Sequence, residues 1–240
     1  MAGLGLALNT LVESLDTSQQ RVRFISDNIS NSQAEGYNKR SVTQKTVAAD
    51  GRPVGVTITE IRREVDDFLV QVARDQSSIT NESKVKNDIH DRIQSLVLGD
   101  PDSAFTINNT MNELFSAFES YANDPASTIK KNLVITSAEN FTSSLNTVAA
   151  ELEEERFNID RDLNSTLNEA NKILLNLNDI NLALKESNQL NGDSQSLLDA
   201  RDLQINRLKE IVDTDLEFDQ FGAVSIVVEN TEVLSNTQVS

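Results

Sequence analysis

Apolar residues in the first segment recur at Leu4, Leu8, Leu11, Leu15, Val22, Ile25 and Ile29, with Ser18 in the one missing place. The alternating spacing of four and three over four heptads predicts a helix across 3–31, roughly 42 Å long at 1.5 Å per residue. Its apolar stripe is narrow, and Glu13, Asp16, Gln19, Gln20, Arg21 and Arg23 make the remainder polar. Each stripe residue moved from water into a contact contributes about 1.5–3 kcal/mol, which a lone helix cannot realise. Two packings satisfy the stripe, burial as an ordinary core helix and coiled-coil assembly, and the strict 3.5-residue repeat favours the second. Ser30, Asn31 and Ser32 end the pattern, and Gly36 can take the positive φ a turn requires there.

Beyond the turn the period changes. Val54, Val56 and Ile58 alternate with Gly55, Thr57 and Thr59, which predicts a strand or hairpin arm over 53–62 after the Asp50-Gly51 turn signal. Residues 64–98 read as a helix stopped by Gly99-Asp100-Pro101, and 104–122 as an amphipathic helix whose Phe115 and Phe118 are expected in the core. From Ala126 to Gln189 neither glycine nor proline occurs, so one helix of roughly 95 Å is expected. Its seam runs through Phe141, Leu145, Val148, Leu152, Glu155, Ile159, Leu163, Thr166, Ala170, Ile173, Leu177, Ile180 and Leu184, with a stutter at 155–163. Asn191-Gly192-Asp193 turns into a last helix, 194–212, where Asp199, Arg201, Asp202 and Arg207 can pair along or across helices. From 213 to 240 the period returns to two, with a turn at Gly222.

Composition narrows the chemistry. The 240 residues contain no cysteine and one histidine, His90, which removes thiolate nucleophiles, disulfides and most histidine-based metal sites. A net charge of −17 repels nucleic acid and anionic lipid alike, so neither nucleic acid nor membrane is expected as a partner. No apolar run of membrane-spanning length and no cleavable signal is readable. The eight glycines are scattered singly, without a phosphate-binding loop, and no cofactor is expected. The acidic cluster at Glu151, Glu153, Glu154, Glu155, Asp160 and Asp162 reads as a solvated face.

The run Ile25-Ser26-Asp27-Asn28-Ile29-Ser30-Asn31 followed by Glu35-Gly36-Tyr37 resembles the N-terminal signature of flagellar rod, hook and hook-associated proteins. Asp27 departs from the usual first asparagine, while Asn28, Asn31, Gly36 and Tyr37 match. Gly36-Tyr37-x-x-Arg40, the stretch from Gly55 through Arg63, Asp66 and Phe68, then Asp124-Pro125-Ala126-Ser127 and Leu197-Leu198-Asp199-x-Arg201-Asp202, are similar to the hook-associated protein 1 family.

The fold class expected is mainly α with minor β. Residues 1–35 form a coiled-coil segment, 36–63 a linker with a strand or hairpin, 64–212 an elongated helical domain, and 213–240 the start of a β region. Leu4, Leu8, Leu11, Leu15, Val22, Ile25 and Ile29 are the expected assembly interface, and Asn28, Asn31, Gly36, Tyr37 and Arg40 the signature turn. The resemblance implies a non-enzymatic subunit of a ring of identical chains joining hook to filament. It implies as partners the hook protein, a second hook-associated junction protein and a flagellar export chaperone. The location implied is the extracellular flagellum, reached by flagellar type III export without a cleaved signal. In that family the N-terminal helix pairs with a C-terminal helix; no C-terminal seam follows here, so the chain is expected to be a fragment with its first seam exposed or paired between molecules. A hook or rod subunit and a non-flagellar acidic coiled-coil adaptor remain as alternatives, and an enzyme would require a cleft with a perturbed carboxylate pair.

Overall fold

Ala2–Ser30 form one uninterrupted helix, α1, as the heptads require, in a computed structural model that describes residues 2–49, 52–99, 105–189, 194–235 and 238–239. The turn signals at Asp50-Gly51, Asp100-Pro101 and Asn191-Gly192-Asp193, and the side chain of Leu4, lie outside the described residues. Strand β1 (Arg40–Ala49) pairs antiparallel with β2 (Arg52–Arg63), from Arg40 opposite Arg63 to Ala49 opposite Arg52. The alternation predicted over 53–62 therefore belongs to the second arm of a hairpin. Its first arm, rich in Val, Thr and Ala but without strict alternation, carried no comparable period-2 mark.

Helix α2 (Asp67–Leu98) starts three residues later than its hydrophobic pattern suggested, because Asp66 caps it: Leu69 N–H donates to Asp66 Oδ1 at 3.1 Å. Helix α3 (Ile107–Asn123) opens on Thr106, whose hydroxyl accepts from Asn109 N–H. Helix α4 (Thr128–Gln189) runs 62 residues without a break, straight through the 155–163 stutter, after Ser127 takes up Lys130 N–H. Helix α5 (Gln195–Ile211) and the antiparallel meander β3 (Asp215–Phe218), β4 (Val224–Val228), β5 (Thr231–Ser235), β6 (Gln238–Val239) complete the chain. The mainly α, minor β expectation is borne out.

The residues gather into two compact units, one of Met1–Ser78 with Ala170–Ser240 and one of Ile79–Glu169. In the first, Ile173 and Leu177 of α4, Ile205 and Leu208 of α5, and Val224, Ile226 and Leu234 of the meander form one core. Asn181 sits fully buried on the same α4 line and acts as a backbone partner. Its Nδ2 donates to Val224 O at 2.8 Å and its Oδ1 accepts from Val224 N–H at 2.9 Å, so the main-chain groups of Val224 at the start of β4 are paired. Its place, four residues past Leu177 and three before Leu184, is the signal that would have identified it.

In the second unit the close contacts are small. Thr110 and Ala117 of α3 and Ser137 and Ser144 of α4 are buried, and the Thr110 and Ser144 hydroxyls lie 2.9 Å apart. This overturns the expectation for Phe115 and Phe118, which are 63% and 52% exposed. A helix face lined by Thr and Ala lets backbones approach closely, and the two rings fall away from it, Phe118 about 90° and Phe115 about 150° around the helix. Leu145 is exposed for the same reason, the buried line passing one residue earlier through Ser144. Glu155 corrects the solvated reading of its cluster: its carboxylate is only 12% exposed and meets Arg92 Nε of α2 at 3.1 Å. That pair explains a charge at a seam position.

Candidate functional site

The seam and the signature turn occupy one element and the turn that follows it. Leu8, Leu11, Leu15, Val22, Ile25 and Ile29 are all between 53% and 70% exposed. Intrachain packing uses a different line of α1. Thr17 is buried, with its Oγ1 donating to Val56 O of β2 at 2.8 Å, and Thr10 and Glu13 face Gly55.

At the base of α1, Asn28 brackets the chain as it turns back. Its Oδ1 accepts from Arg40 N–H and from the Tyr37 hydroxyl, both at 2.9 Å, while its Nδ2 donates to Arg40 O. Asn31 Nδ2 and N–H both donate to Asp27 O, closing the last turn of the helix. Three of the signature residues, Asn28, Tyr37 and Arg40, are thus brought together as a hydrogen-bonded bracket with Gly36 at its tip, and the Arg40 guanidinium lies 5.4 Å from the Tyr37 ring centre. Gly36 has φ +78°, and a Cβ there would stand 3.0 Å from Leu203 Cβ on α5. Gly36→Val is therefore expected to strain the backbone and push α5 away, costing about 1–2 kcal/mol or more from the left-handed conformation alone. A thermal unfolding midpoint equal to that of the parent would refute it.

Beneath the bracket lies a cluster of charges that joins four parts of the first unit. Arg63 Nη1 of β2 donates to Asp199 Oδ1 at 3.0 Å and to Asp202 Oδ2 at 2.7 Å. Arg201 reaches Asp202 Oδ1 through Nε and Nη2, Asn38 donates to Asp199 Oδ1, and Arg74 of α2 donates through Nε to Asn206. Arg74 Nη2 at 3.3 Å from Asp202, and Arg40 Nη2 at 3.5 Å from Asp199, add charge contacts without hydrogen-bond geometry. Four guanidiniums meet two carboxylates here, so the surplus positive charge needs other partners. Arg201 finds the Gly222 carbonyl and the Phe218 ring, and Arg40 finds the Ser196 hydroxyl.

The electrostatics follow. Burial pushes the Asp202 carboxyl up, but Arg201 and Arg63 outweigh it and hold the carboxyl below its ordinary value. Burial likewise works against the Arg63 charge, yet Asp202 and Asp199 raise its pKa, whereas for Arg74 desolvation wins and lowers it. On the far side of α5, Gly222 has φ +83°, and a Cβ there would stand 2.7 Å from Leu198. Helix α5 thus lies against both glycine turns, which gives Leu198, Asp199, Arg201 and Asp202 of the sequence motif their places.

In this arrangement the carboxylates are locked to guanidiniums rather than poised in a cleft. His90 is exposed on α2. Among the described residues no group of His, Asp and Glu has metal-site geometry, and no helix is long and apolar enough to cross a membrane.

Comparison with known proteins places this architecture. The family described as the flagellar hook-associated protein FlgK helical domain matches residues 90–240. Flagellar hook-associated protein 1 of Bacillus subtilis is 21% identical over 236 residues, covering 92% of this chain and 46% of its own length. The protein of the same name from Salmonella typhimurium is 21% identical over 234 residues, covering 93% of this chain and 41% of its own. The chain therefore spans less than half the length of these relatives. The solved structure of the flagellar hook junction protein FlgK from Burkholderia pseudomallei shares the fold, with a TM-score of 0.51 at 16% identity over 71% of this chain and 28% of that one. With its motifs, its long helices and the family match over 90–240 in agreement, the chain belongs to the FlgK family of flagellar hook-associated proteins.

Proposed function

We propose that this chain is a structural subunit joining hook to filament, one of a ring of identical copies, and that it assembles through the heptad stripe of α1. The observation that carries this reading is the exposure of Leu8, Leu11, Leu15, Val22, Ile25 and Ile29 on a helix whose intrachain contacts run along another line. A stripe of that length left in water is unfavourable by about 1.5–3 kcal/mol per residue relative to burial, so it favours a helical partner. Leu4 continues the stripe toward the N-terminus. Asn28, Asn31, Gly36, Tyr37 and Arg40 set the direction in which α1 leaves the charged cluster.

Membership of the FlgK family supports a place in the flagellum, with the hook protein and a second junction protein as neighbours and a dedicated chaperone before export. Export without a cleaved signal suits a chain free of cysteines, since no disulfide has to be made or broken in transit. The role is architectural, with no substrate and no cofactor. Within it, 1–35 serves as the assembly helix, 36–63 as the connection, 64–212 as the helical body and 213–240 as the entry to a β region.

Deleting the gene in its flagellated host is the test. Hooks without filaments, with flagellin monomer released into the medium, are expected under electron microscopy and immunoblotting. Normal filaments in the deletion strain would overturn the junction role.

A further inference from the structure

A cleft of about 410 Å³ opens beside the signature turn, where the end of α1, the turn itself, the start of β1 and helix α5 meet. Four charged side chains line it, Asp27, Glu35, Arg40 and Asp199. Three of them are answered inside the chain. Arg40 lies 3.5 Å from Asp199, Asp199 also accepts from Arg63 at 3.0 Å, and Glu35 meets Arg207 at 3.3 Å. Asp27 is half-buried, and among the described residues no cation stands within 4 Å of its carboxylate. Its position adds to the deficit. Asp27 falls in the last turn of α1, at the negative end of the helix dipole, so its charge deepens the local negative potential. Asn31 gives both its Nδ2 and its N–H to Asp27 O, which leaves Asn31 Oδ1 as a further acceptor on the cleft wall.

We propose that this cleft receives a lysine or arginine side chain from another copy of the chain, its cation held between the Asp27 carboxylate and Asn31 Oδ1. The neighbouring copy rests on the ring assembly proposed above, whereas the cation rests on the cleft alone. A carboxylate partly withdrawn from water gains more from an opposite charge than an exposed one does. A long basic side chain can lay its methylenes along Ala34, Ala200 and Leu203 while its head reaches the acid. A metal ion is a poor match, since among the described residues no group of acids has metal-site geometry. The chain itself carries suitable donors: Arg21, Arg23, Lys45, Lys84 and Lys131 are exposed, with no carboxylate within 4 Å among the described residues. Asp27 lies about 150° around α1 from the heptad stripe, so this contact is separate from any made by Leu15 and its companions.

The test compares Asp27→Asn and Asp27→Lys with the parent, each expressed as the full chain in a strain deleted for the native gene. A lysine at the end of α1 suits the helix dipole, and the carbonyl that Asn31 caps is untouched, so circular dichroism and thermal midpoint are expected to match the parent. By quantitative immunoblotting of isolated flagella, incorporation is expected to fall about threefold for Asp27→Asn and about tenfold or more for Asp27→Lys. In the purified chain, amide chemical shifts at Asn31, Gly36 and Tyr37 are expected to move saturably with L-arginine amide or L-lysine amide. The response should vanish in Asp27→Asn and should not be reproduced by magnesium at equal ionic strength. Normal incorporation of a folded Asp27→Lys would overturn the inference while the assembly role stands. No saturable shift in the parent, shifts that persist in Asp27→Asn, or shifts that magnesium reproduces would overturn a basic side chain as the occupant. Absence of even the parent from flagella would instead remove the assembly role, and the neighbouring copy with it.

Discussion

Leu15→Asp is expected to abolish incorporation into the flagellum while leaving the chain folded. Leu15 is 59% exposed in the centre of the α1 stripe, so in the free chain the new carboxylate faces water. The direct cost there is one helix-propensity difference, a few tenths of a kcal/mol and about 0.7 at most. In a helix pair the same carboxylate would be placed between apolar side chains with no cation opposite. Burying it is worth several kcal/mol against the pair, enough to reduce association by a factor of a thousand or more. The measurement is paired: circular dichroism of the purified variant, expected to match the parent, and complementation of a deletion strain, expected to give hooks without filaments. Normal filaments from the variant would sink the stripe as the assembly interface.

Asp202→Asn is expected to have the largest effect on stability, about 3–5 kcal/mol, because it leaves three guanidiniums facing an amide in a largely dehydrated place. Arg63, Arg74 and Arg201 all converge on this carboxylate, and Asp199 alone cannot serve them. The loss should be confined to the unit that contains α1, the hairpin, α5 and the meander. Amide hydrogen exchange is therefore expected to rise across β1, β2 and α5 and to stay unchanged in α3. A destabilisation below about 1 kcal/mol in denaturant titration would show that the cluster is solvated and dispensable. The same carboxylate predicts a pH dependence. Its pKa in the folded chain is lowered, so its contribution is complete above about pH 4 and is lost as the pH falls through the lowered value. The parent should lose stability on acidification through that range, and Asp202→Asn should show a shallower loss.

The two variants separate what holds the chain together from what the chain offers to others. Asp202 acts inside one molecule, and Leu15, on the proposed assembly stripe, is expected to act between molecules. A subunit that must fold and then assemble needs its stabilising charges elsewhere than on its assembly surface. Here the buried ion pairs cluster under the Gly36 turn, whereas the stripe carries none.

Much of this was legible from residue order. The helix boundaries of α1, α4 and α5 fell within two residues of their periodic patterns and α3 began three residues later than its own, because heptad spacing and breakers such as Pro125 act through the local backbone. The pattern of exposed Leu15 and its companions, the missing thiols and the surplus of acid were equally plain, and the motifs around Gly36, Tyr37 and Arg201 pointed to the family. Tertiary structure alone decided which side of each helix is used. Phe115 and Phe118 lie outward because Thr110 and Ala117 allow a closer approach, Asn181 is buried because β4 needs a donor and an acceptor, and Arg63 meets Asp202 across 139 positions of sequence. Periodicity records that a helix has an apolar side. The partner for each side, and the choice of the Thr17 line over the Leu15 line for the hairpin, depends on distances between residues far apart in the chain, which no local pattern encodes.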